Sequence, residues 1–451
     1  MKKEYVAIVG AGLAGSLLAV YLARRGFRVD VYERRPDMRR EAISAGRSIN
    51  LALSVRGIHA LQEVGLAGNI LTDAIPMKGR MMHSTEGELT FQPYGKDPRE
   101  VINSVSRGGL NMLLLDAAES YDDVQIFFDE RCTGADLDRG ELQFRNERSG
   151  KQQVVTADAV IASDGSASAV RMEMQKIGRF NLSQQYLEHG YKELSIPPAA
   201  DGGYRLEPHA LHIWPRGSYM LIALPNPDGS FTCTLFLPFA GEPGFDSLGS
   251  PAKVREFFRT TFADALPLIP DLETDFFQNP TGSLVTIKCF PWQHRGKMLL
   301  LGDAAHAIVP FYGQGMNCAF EDCTLLNRIL GDYGSDWEQV FAAYQAQRKR
   351  DTDAIADLAL ENFIEMRDQV ADPVFLRKRK VELLLETKFA GQFFSKYAMV
   401  TFQRLPYSLA LERGRRQDAV LMEICARVER IEELDLDAVY AEVRQRAAFD
   451  A

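Results

Sequence analysis

No stretch of the 451 residues runs apolar for the roughly 18 positions that a membrane-spanning helix needs, and the C-terminal segment is too charged to cross a bilayer. Basic residues are in the minority. The 52 Lys and Arg against 61 Asp and Glu leave a net charge of −9, which argues against nucleic-acid binding and offers no broad basic face to an anionic membrane. Paired cysteines are missing as well: Cys132, Cys233, Cys289, Cys318, Cys323 and Cys425 are scattered without a C-x-x-C. That pattern excludes a secreted disulfide scaffold and predicts reduced thiols in a cytoplasmic protein. Cys318 and Cys323, the one close pair, fall on different faces of a predicted helix and read as core-lining thiols. Nothing resembles a low-complexity tract, an internal repeat, or an apolar leader after Met1-Lys2-Lys3-Glu4. What remains is an ordinary globular composition, 46% hydrophobic and 25% charged, long enough for about three compact units. A small molecule is the expected partner.

Residues 5–9 form a β-branched run, followed by Gly10-Ala11-Gly12-Leu13-Ala14-Gly15, a helical pattern to Arg25, then Gly26 and a second strand over 28–32. This is a βαβ opening. A hairpin is predicted over 78–84 and 88–92 about Thr85-Glu86-Gly87, and a helix over 109–120; Val160-Ile161-Ala162 ends a further buried strand. From about 184 to 290 the texture changes to strand runs separated by Pro and Gly, at 211–214, 219–224, 232–237 and 284–289, with a strong turn at Pro225-Asn226-Pro227-Asp228-Gly229. A mostly antiparallel sheet is expected there. Residues 298–301 resume the buried-strand pattern, and helical periodicity dominates from about 314 onward. The fold class expected is α/β: a dinucleotide-binding layer interrupted by a sheet domain, with helices at the end.

The G-x-G-x-x-G at Gly10, Gly12 and Gly15 stands between a strand and a helix, where the backbone can approach a pyrophosphate and the helix N-terminus can hold its charge. Glu33 ends the second strand 23 residues after Gly10, placed to accept from ribose hydroxyls. These residues alone leave FAD and NAD open. His209 and His212 lack companions at metal-ligand spacing, so no metal site is expected. Glu321 and Asp322 are adjacent on a predicted helix and diverge by ~100°, which favours structural roles over a catalytic pair.

Two later segments decide the cofactor: Ala162-Ser163-Asp164-Gly165-Ser166-Ala167-Ser168-Ala169-Val170-Arg171, and Leu300-Leu301-Gly302-Asp303-Ala304-Ala305-His306. With the N-terminal fingerprint, in this order, they resemble the single-component flavin-dependent aromatic hydroxylases, and so imply bound FAD. Asp303 at a strand end can accept from a ribityl or ribose hydroxyl. Pro310-Phe311-Tyr312-Gly313-Gln314-Gly315-Met316-Asn317 leads into a helix whose free amides would face the isoalloxazine and stabilise negative charge on the reduced ring. The resemblance implies Arg34, Ala52, Arg107, Asp164, Gly315, Met316 and Asn317 as further FAD contacts, with His306 packing beneath the cofactor in a structural role. Residues Gly46-Arg47-Ser48-Ile49-Asn50-Leu51-Ala52-Leu53-Ser54, His212-Ile213-Trp214-Pro215-Arg216, Phe231-Thr232-Cys233-Thr234-Leu235-Phe236 and Asn362-Phe363-Ile364-Glu365-Met366-Arg367 narrow the likeness to the kynurenine 3-monooxygenase family, from residue 5 to about 405. Where mitochondrial members of that family carry a membrane anchor, this chain has a charged helix, so a soluble enzyme of bacterial type is implied.

On that resemblance the substrate clamp falls on Arg80, Tyr94, Asn362 and Tyr397. A guanidinium can pair bidentately with the carboxylate of L-kynurenine, the phenols add donors, and Asn362 serves the amino-acid end or the ketone. Phe311 and Tyr312 are candidates to line the ring pocket; Met366 and Phe236 read as core. The implied reaction uses NADPH to reduce FAD, adds dioxygen at flavin carbon 4a and transfers the distal oxygen to the ring carbon beside the aniline nitrogen. No side-chain general base is expected, because the amino group already enriches that carbon. The chain offers no second dinucleotide fold for NADPH. Expected domains are 1–75, 99–180 and 291–335 for FAD, 76–98 and 181–290 for the substrate sheet, and 336–451 for the helices; a homodimer is left open. The alternatives are a related hydroxylase of another aromatic acid and a non-catalytic FAD-binding protein.

Overall fold

The computed structural model describes residues 3–41, 50–95, 97, 99–366 and 372–447. Residues 46–49 of the Gly46-to-Ser54 motif, and Arg367, lie outside the described residues. Two large sheets carry the molecule. The first has six strands in the order Gln293–His294, Met298–Leu300, Ala159–Ala162, Tyr5–Val9, Arg28–Tyr32, Val124–Phe127. Every pair is parallel except the short edge strand Gln293–His294. Its strands Tyr5–Val9, Ala159–Ala162 and Met298–Leu300 are continuous runs of mostly aliphatic residues, as burial on both faces demands. The helices Leu13–Arg24 and Gly315–Tyr333 pack against each other on one face. The expected first strand, second strand and intervening helix are all present, the helix ending at Arg24.

The second sheet has seven strands, in the order Gly282–Phe290, Asn181–Ile196, Phe231–Pro238, Met220–Pro225, Ala210–Pro215, Gly79–His83, Leu89–Pro93. It is antiparallel apart from the pairing of Ala210–Pro215 with Gly79–His83. The predicted hairpin is thus built into the same sheet as the later strands. Gly79 is needed there: a Cβ on it would stand 2.4 Å from the Gln92 carbonyl oxygen. Two features depart from the sequence-based expectation. The region read as strands only also contains the helices Pro251–Thr261 and Leu272–Gln278, packed with Trp214, Phe231, Phe258 and Phe262 in a core of their own. A three-stranded antiparallel sheet, Glu130–Asp136, Glu141–Asn146 and Gln152–Thr156, fills the crossover before Ala159–Ala162.

Helices complete the chain. Trp337–Ile364 runs from the first core to the second, and Pro373–Lys388, Lys396–Thr401, Tyr407–Ala426 and Leu436–Arg446 close over the end of the sheet. The last helices share a small apolar cluster with Val381, Leu421 and Val443. Among the described residues no helix is long and apolar enough to cross a membrane.

Candidate active site

Four adjacent parallel strands end on one side of the first sheet, and each delivers one of the sequence motifs. Tyr5–Val9 leads into Gly10, Arg28–Tyr32 into Glu33, Ala159–Ala162 into Ser163-Asp164, and Met298–Leu300 into Gly302-Asp303. Ligands of open parallel sheets bind outside such strand ends. The three glycines have separate tasks. Gly10 adopts φ +96°, and a Cβ there would lie 2.7 Å from the Ser163 carbonyl oxygen. A Cβ on Gly15 would lie 2.0 Å from the Gly10 carbonyl oxygen, so the helix packs directly on the turn. Gly12 meets nothing within 4 Å and begins the helix Leu13–Arg24: it opens onto empty space at a helix N-terminus, where a phosphate can approach the backbone.

Around that space, Glu33 is buried; its Oε2 accepts from Ala11 N at 2.9 Å and its Oε1 from Arg35 Nε at 2.8 Å, so it ties the glycine turn to the second strand. Arg34 is exposed beside it. Asp164 Oδ2 accepts from Ala169 N at 2.8 Å, while its buried Oδ1 has no partner. Burial raises the Asp164 carboxyl above its ordinary value. Asp303 opens onto the cleft from the head of a short helix, yet protein crowds it closely enough to raise its carboxyl too, against the pull of His306 and Arg107. Arg107 is exposed at the start of the helix Arg107–Glu119. Gly315 and Met316 form the first turn of the helix Gly315–Tyr333. Asn317 is fully buried and knits the cradle from inside: its Oδ1 accepts from Ser54 N at 2.9 Å and its Nδ2 donates to the carbonyls of Ala52 (2.8 Å) and Gly313 (2.9 Å). The Asn317 side chain thus holds together the loops of the cradle.

Across the cleft the structure gathers Arg80 and Tyr94 with Tyr397, which lies more than 300 residues further along the chain. Strand alternation puts Arg80 and Met82 on one face, and antiparallel pairing of Gly79–His83 with Leu89–Pro93 brings Tyr94 to the same end. The Arg80 guanidinium lies 4.9 Å from the Tyr397 ring centre and 5.9 Å from that of Tyr94. Tyr94, Tyr397 and Tyr312 stack in sequence, at centroid distances of 5.6 and 5.5 Å. Arg80 Nε and Tyr94 Oη are buried without hydrogen-bond partners, a costly arrangement that calls for a ligand. Burial opposes the Arg80 charge, but the phenols of Tyr397 and Tyr94 hold its pKa above the ordinary value; burial pushes the Tyr94 and Tyr312 phenols up, so both stay protonated as donors. Asn362 is buried near this group, and its Nδ2 donates to the Phe311 carbonyl at 2.7 Å, fastening the helix Trp337–Ile364 to the loop before Gly315. Phe311 stacks on Phe363 at 4.3 Å and meets Phe236 at 5.0 Å, and with Met366 they form one apolar wall.

Beneath the cradle lies a fully buried set of charges. Asp322 Oδ2 accepts from Gly302 N at 3.1 Å and from His306 Nε2 at 2.7 Å, and Oδ1 from Arg348 Nε at 2.6 Å. Burial disfavours a charged His306, but the Asp322 carboxylate outweighs it and carries the imidazole up to about 10. His306 is thus a cation that braces the Gly302 turn. His306, Cys318 and Asp322 could each bring one ligand atom within 4.8 Å of the others, but the Arg348 guanidinium already occupies that place, 3.2 Å from Cys318 Sγ. Two side chains escaped the sequence reading. Arg379 stands 5.9 Å from the Tyr397 ring centre, hidden in the basic run Arg377-Lys378-Arg379-Lys380, which looks like a solvated face. Arg56 has no motif around it that signals a buried charge.

The family described as "FAD binding domain" matches residues 3–186 and 285–359, the segments that build the first sheet and its cradle. The open Gly12, the unpartnered Asp164 Oδ1 and the outward Asp303 fit such a cofactor. Solved structures share the fold: the tetrameric form of 2-methyl-3-hydroxypyridine-5-carboxylic acid oxygenase superposes with a TM-score of 0.67 at 22% identity, covering 85% of this chain and 98% of that one. PqsL of P. aeruginosa in complex with 2-aminobenzoylacetate gives 0.63 at 21% identity, covering 81% and 97%. The fold and cradle together define an FAD-binding protein. Among curated relatives, the kynurenine 3-monooxygenase of Myxococcus xanthus (strain DK1622) is 52% identical over 445 residues, 99% of this chain and 96% of that protein. That of Dictyostelium discoideum is 47% identical over 431 residues, 93% of this chain and 92% of its own. The chain belongs to the kynurenine 3-monooxygenase family.

Proposed function

We propose that the protein hydroxylates L-kynurenine to 3-hydroxykynurenine with NADPH and O2, and that Arg80, Tyr94, Tyr397 and Asn362 hold the substrate against a flavin lodged at the ends of the four parallel strands. One observation carries the clamp: a buried guanidinium and a buried phenol, Arg80 and Tyr94, each with an unpartnered polar atom, side by side. A carboxylate satisfies both at once, since Arg offers parallel donors and the Tyr hydroxyl a third. The aminophenyl ring then belongs on the apolar wall of Phe311, Phe236 and Phe363.

The turn shaped by Gly10 and Gly15 presents Gly12 to the pyrophosphate, Glu33 and Arg34 take the adenosine side, and Ala52, Arg107, Asp164, Asp303, Gly315 and Met316 the rest of FAD, with Asn317 holding their loops in place. When bound, FAD supplies the electron transfer from NADPH and the activation of dioxygen. The protein fixes the ring carbon beside the aniline nitrogen in reach of the cofactor and excludes water with three stacked tyrosines and the apolar wall. No side chain of the clamp needs to abstract a proton, and the high-pKa phenols of Tyr94 and Tyr312 suit binding rather than base catalysis. The same reading divides the chain into the three units expected from sequence. Five of six free cysteines are buried, which fits a reducing cytoplasm.

The test is a substitution: Arg80→Ala should keep the flavin spectrum and lose affinity for kynurenine. Loss of FAD with unchanged kynurenine affinity in what remains would contradict the clamp. NADPH oxidation stimulated by a phenolic acid, and not by kynurenine, would favour a sister hydroxylase.

A further inference from the structure

Arg56 is 2% exposed, and its side chain bridges an element of the cradle and the short helix that bears Tyr397. It sits on the helix Val55–Glu63, which starts directly behind the cradle strand Asn50–Leu53. Its Nη1 pairs with Glu321 on the cradle helix Gly315–Tyr333. Its Nε donates to the Val400 carbonyl at 3.5 Å, and its Nη2 to the Leu405 carbonyl. The guanidinium lies 3.9 Å over the Tyr407 ring, whose hydroxyl donates to Gln314 Oε1 at 2.9 Å, in the loop before the cradle helix.

Val400 belongs to the last turn of Lys396–Thr401, the short helix that also carries Tyr397. The final four carbonyls of a helix lack partners within it, and a cation satisfies both their hydrogen bonds and the negative end of the dipole. Six residues are too few to fix their own geometry. We propose that Arg56 is a positioning residue for the substrate: by capping Lys396–Thr401 from the cradle side, it sets where the Tyr397 phenol stands relative to Arg80 and the flavin. The Glu321 carboxylate is shared, its other oxygen accepting from Arg348 Nη1 at 2.7 Å, so removing Arg56 strands no buried acid. Solvent reaches the place through a cavity of about 480 Å³ lined by Arg56, Glu321, Arg348, Asp351 and Arg404.

The inference rests on Tyr397 belonging to the kynurenine clamp. Arg56→Ala and Arg56→Lys holoenzymes should retain FAD with a dissociation constant within about twofold of the parent, while KM for kynurenine rises on the order of tenfold and kcat changes little. The lysine keeps the Glu321 pair and is expected to fold even if the alanine variant does not, but it loses the forked donors and most of the stacking, so its KM rises as well. Guanidinium chloride at about 50 mM, well under the denaturing range, should lower KM of Arg56→Ala through the cavity, whereas the same concentration of NaCl should not. Parent-like KM in Arg56→Lys, or FAD loss in step with activity at unchanged KM, overturns the proposal. Arg80→Ala serves as the reference: if it raises KM and Arg56→Lys does not, only the positioning role fails; if Arg80→Ala is also silent, the clamp itself is wrong.

Discussion

A buried guanidinium nitrogen, Arg80 Nε, that has no partner within the protein is held for something that completes it. Truncating one partner of a buried charge pair costs about 2–5 kcal/mol, so Arg80→Ala is expected to raise KM for kynurenine by roughly 30-fold or more, measured by steady-state NADPH oxidation. Tyr94→Phe removes one neutral donor, worth about 0.5–1.5 kcal/mol, and should raise KM roughly two- to tenfold with FAD still bound. His306 gives a pH prediction with a definite sign. Its folded pKa, about 10, lies above the ordinary 6.5, so the stability it contributes is complete below about 6.5 and is lost as pH rises through 10. The melting temperature should therefore fall between these values, and Asp322→Asn, which removes the carboxylate that sustains the cation, should flatten that slope. A parent-like slope in Asp322→Asn would show that another group titrates.

The βαβ turn separates two uses of glycine. Gly15→Ala drives a Cβ into the Gly10 carbonyl and should prevent folding, visible as insoluble or unfolded protein by circular dichroism. Gly12→Ala meets only open space, so it should fold normally and bind FAD far more weakly, read by flavin fluorescence on titration. The glycine turn, Asp164 and Asp303 were legible in the sequence because each is a short loop following a buried strand, and a loop's chemistry is written locally. Other elements were not. Asn181–Ile196 is a single strand of 16 residues, but its first half, with Ser183, Gln184 and Gln185, is exposed and polar and lacks the apolar alternation that betrays a strand. Gln152–Thr156 is exposed except at half-buried Val155, and its apolar residues are adjacent rather than alternating. The helix Pro251–Thr261 did carry a signal, Ser250 before Pro251, with Ser250 Oγ accepting from Lys253 N at 3.4 Å. Arg56 and Arg379 were invisible because their roles depend on contacts with residues far along the chain, Val400 and Tyr397 among them.

The whole molecule works as two layers threaded through each other. The cradle sheet takes its strands from 5–32, 124–162 and 293–300; the sheet bearing Arg80 takes its own from 79–93 and 181–290, and the helices after 336 close on both. Interleaving of this kind lets one helix, Trp337–Ile364, contribute Arg348 beneath the cradle and Asn362 beside the clamp. Kynurenine and flavin sites so connected should be felt together, and the most direct measurement is the rate of NADPH and O2 consumption by the purified yellow protein with and without L-kynurenine, alongside the yield of hydroxylated product. Consumption should be slow alone, rise severalfold or more on adding kynurenine, and match 3-hydroxykynurenine formed. A flavin-loaded protein whose turnover ignores kynurenine, or that consumes NADPH and yields no hydroxylated product, would contradict the account.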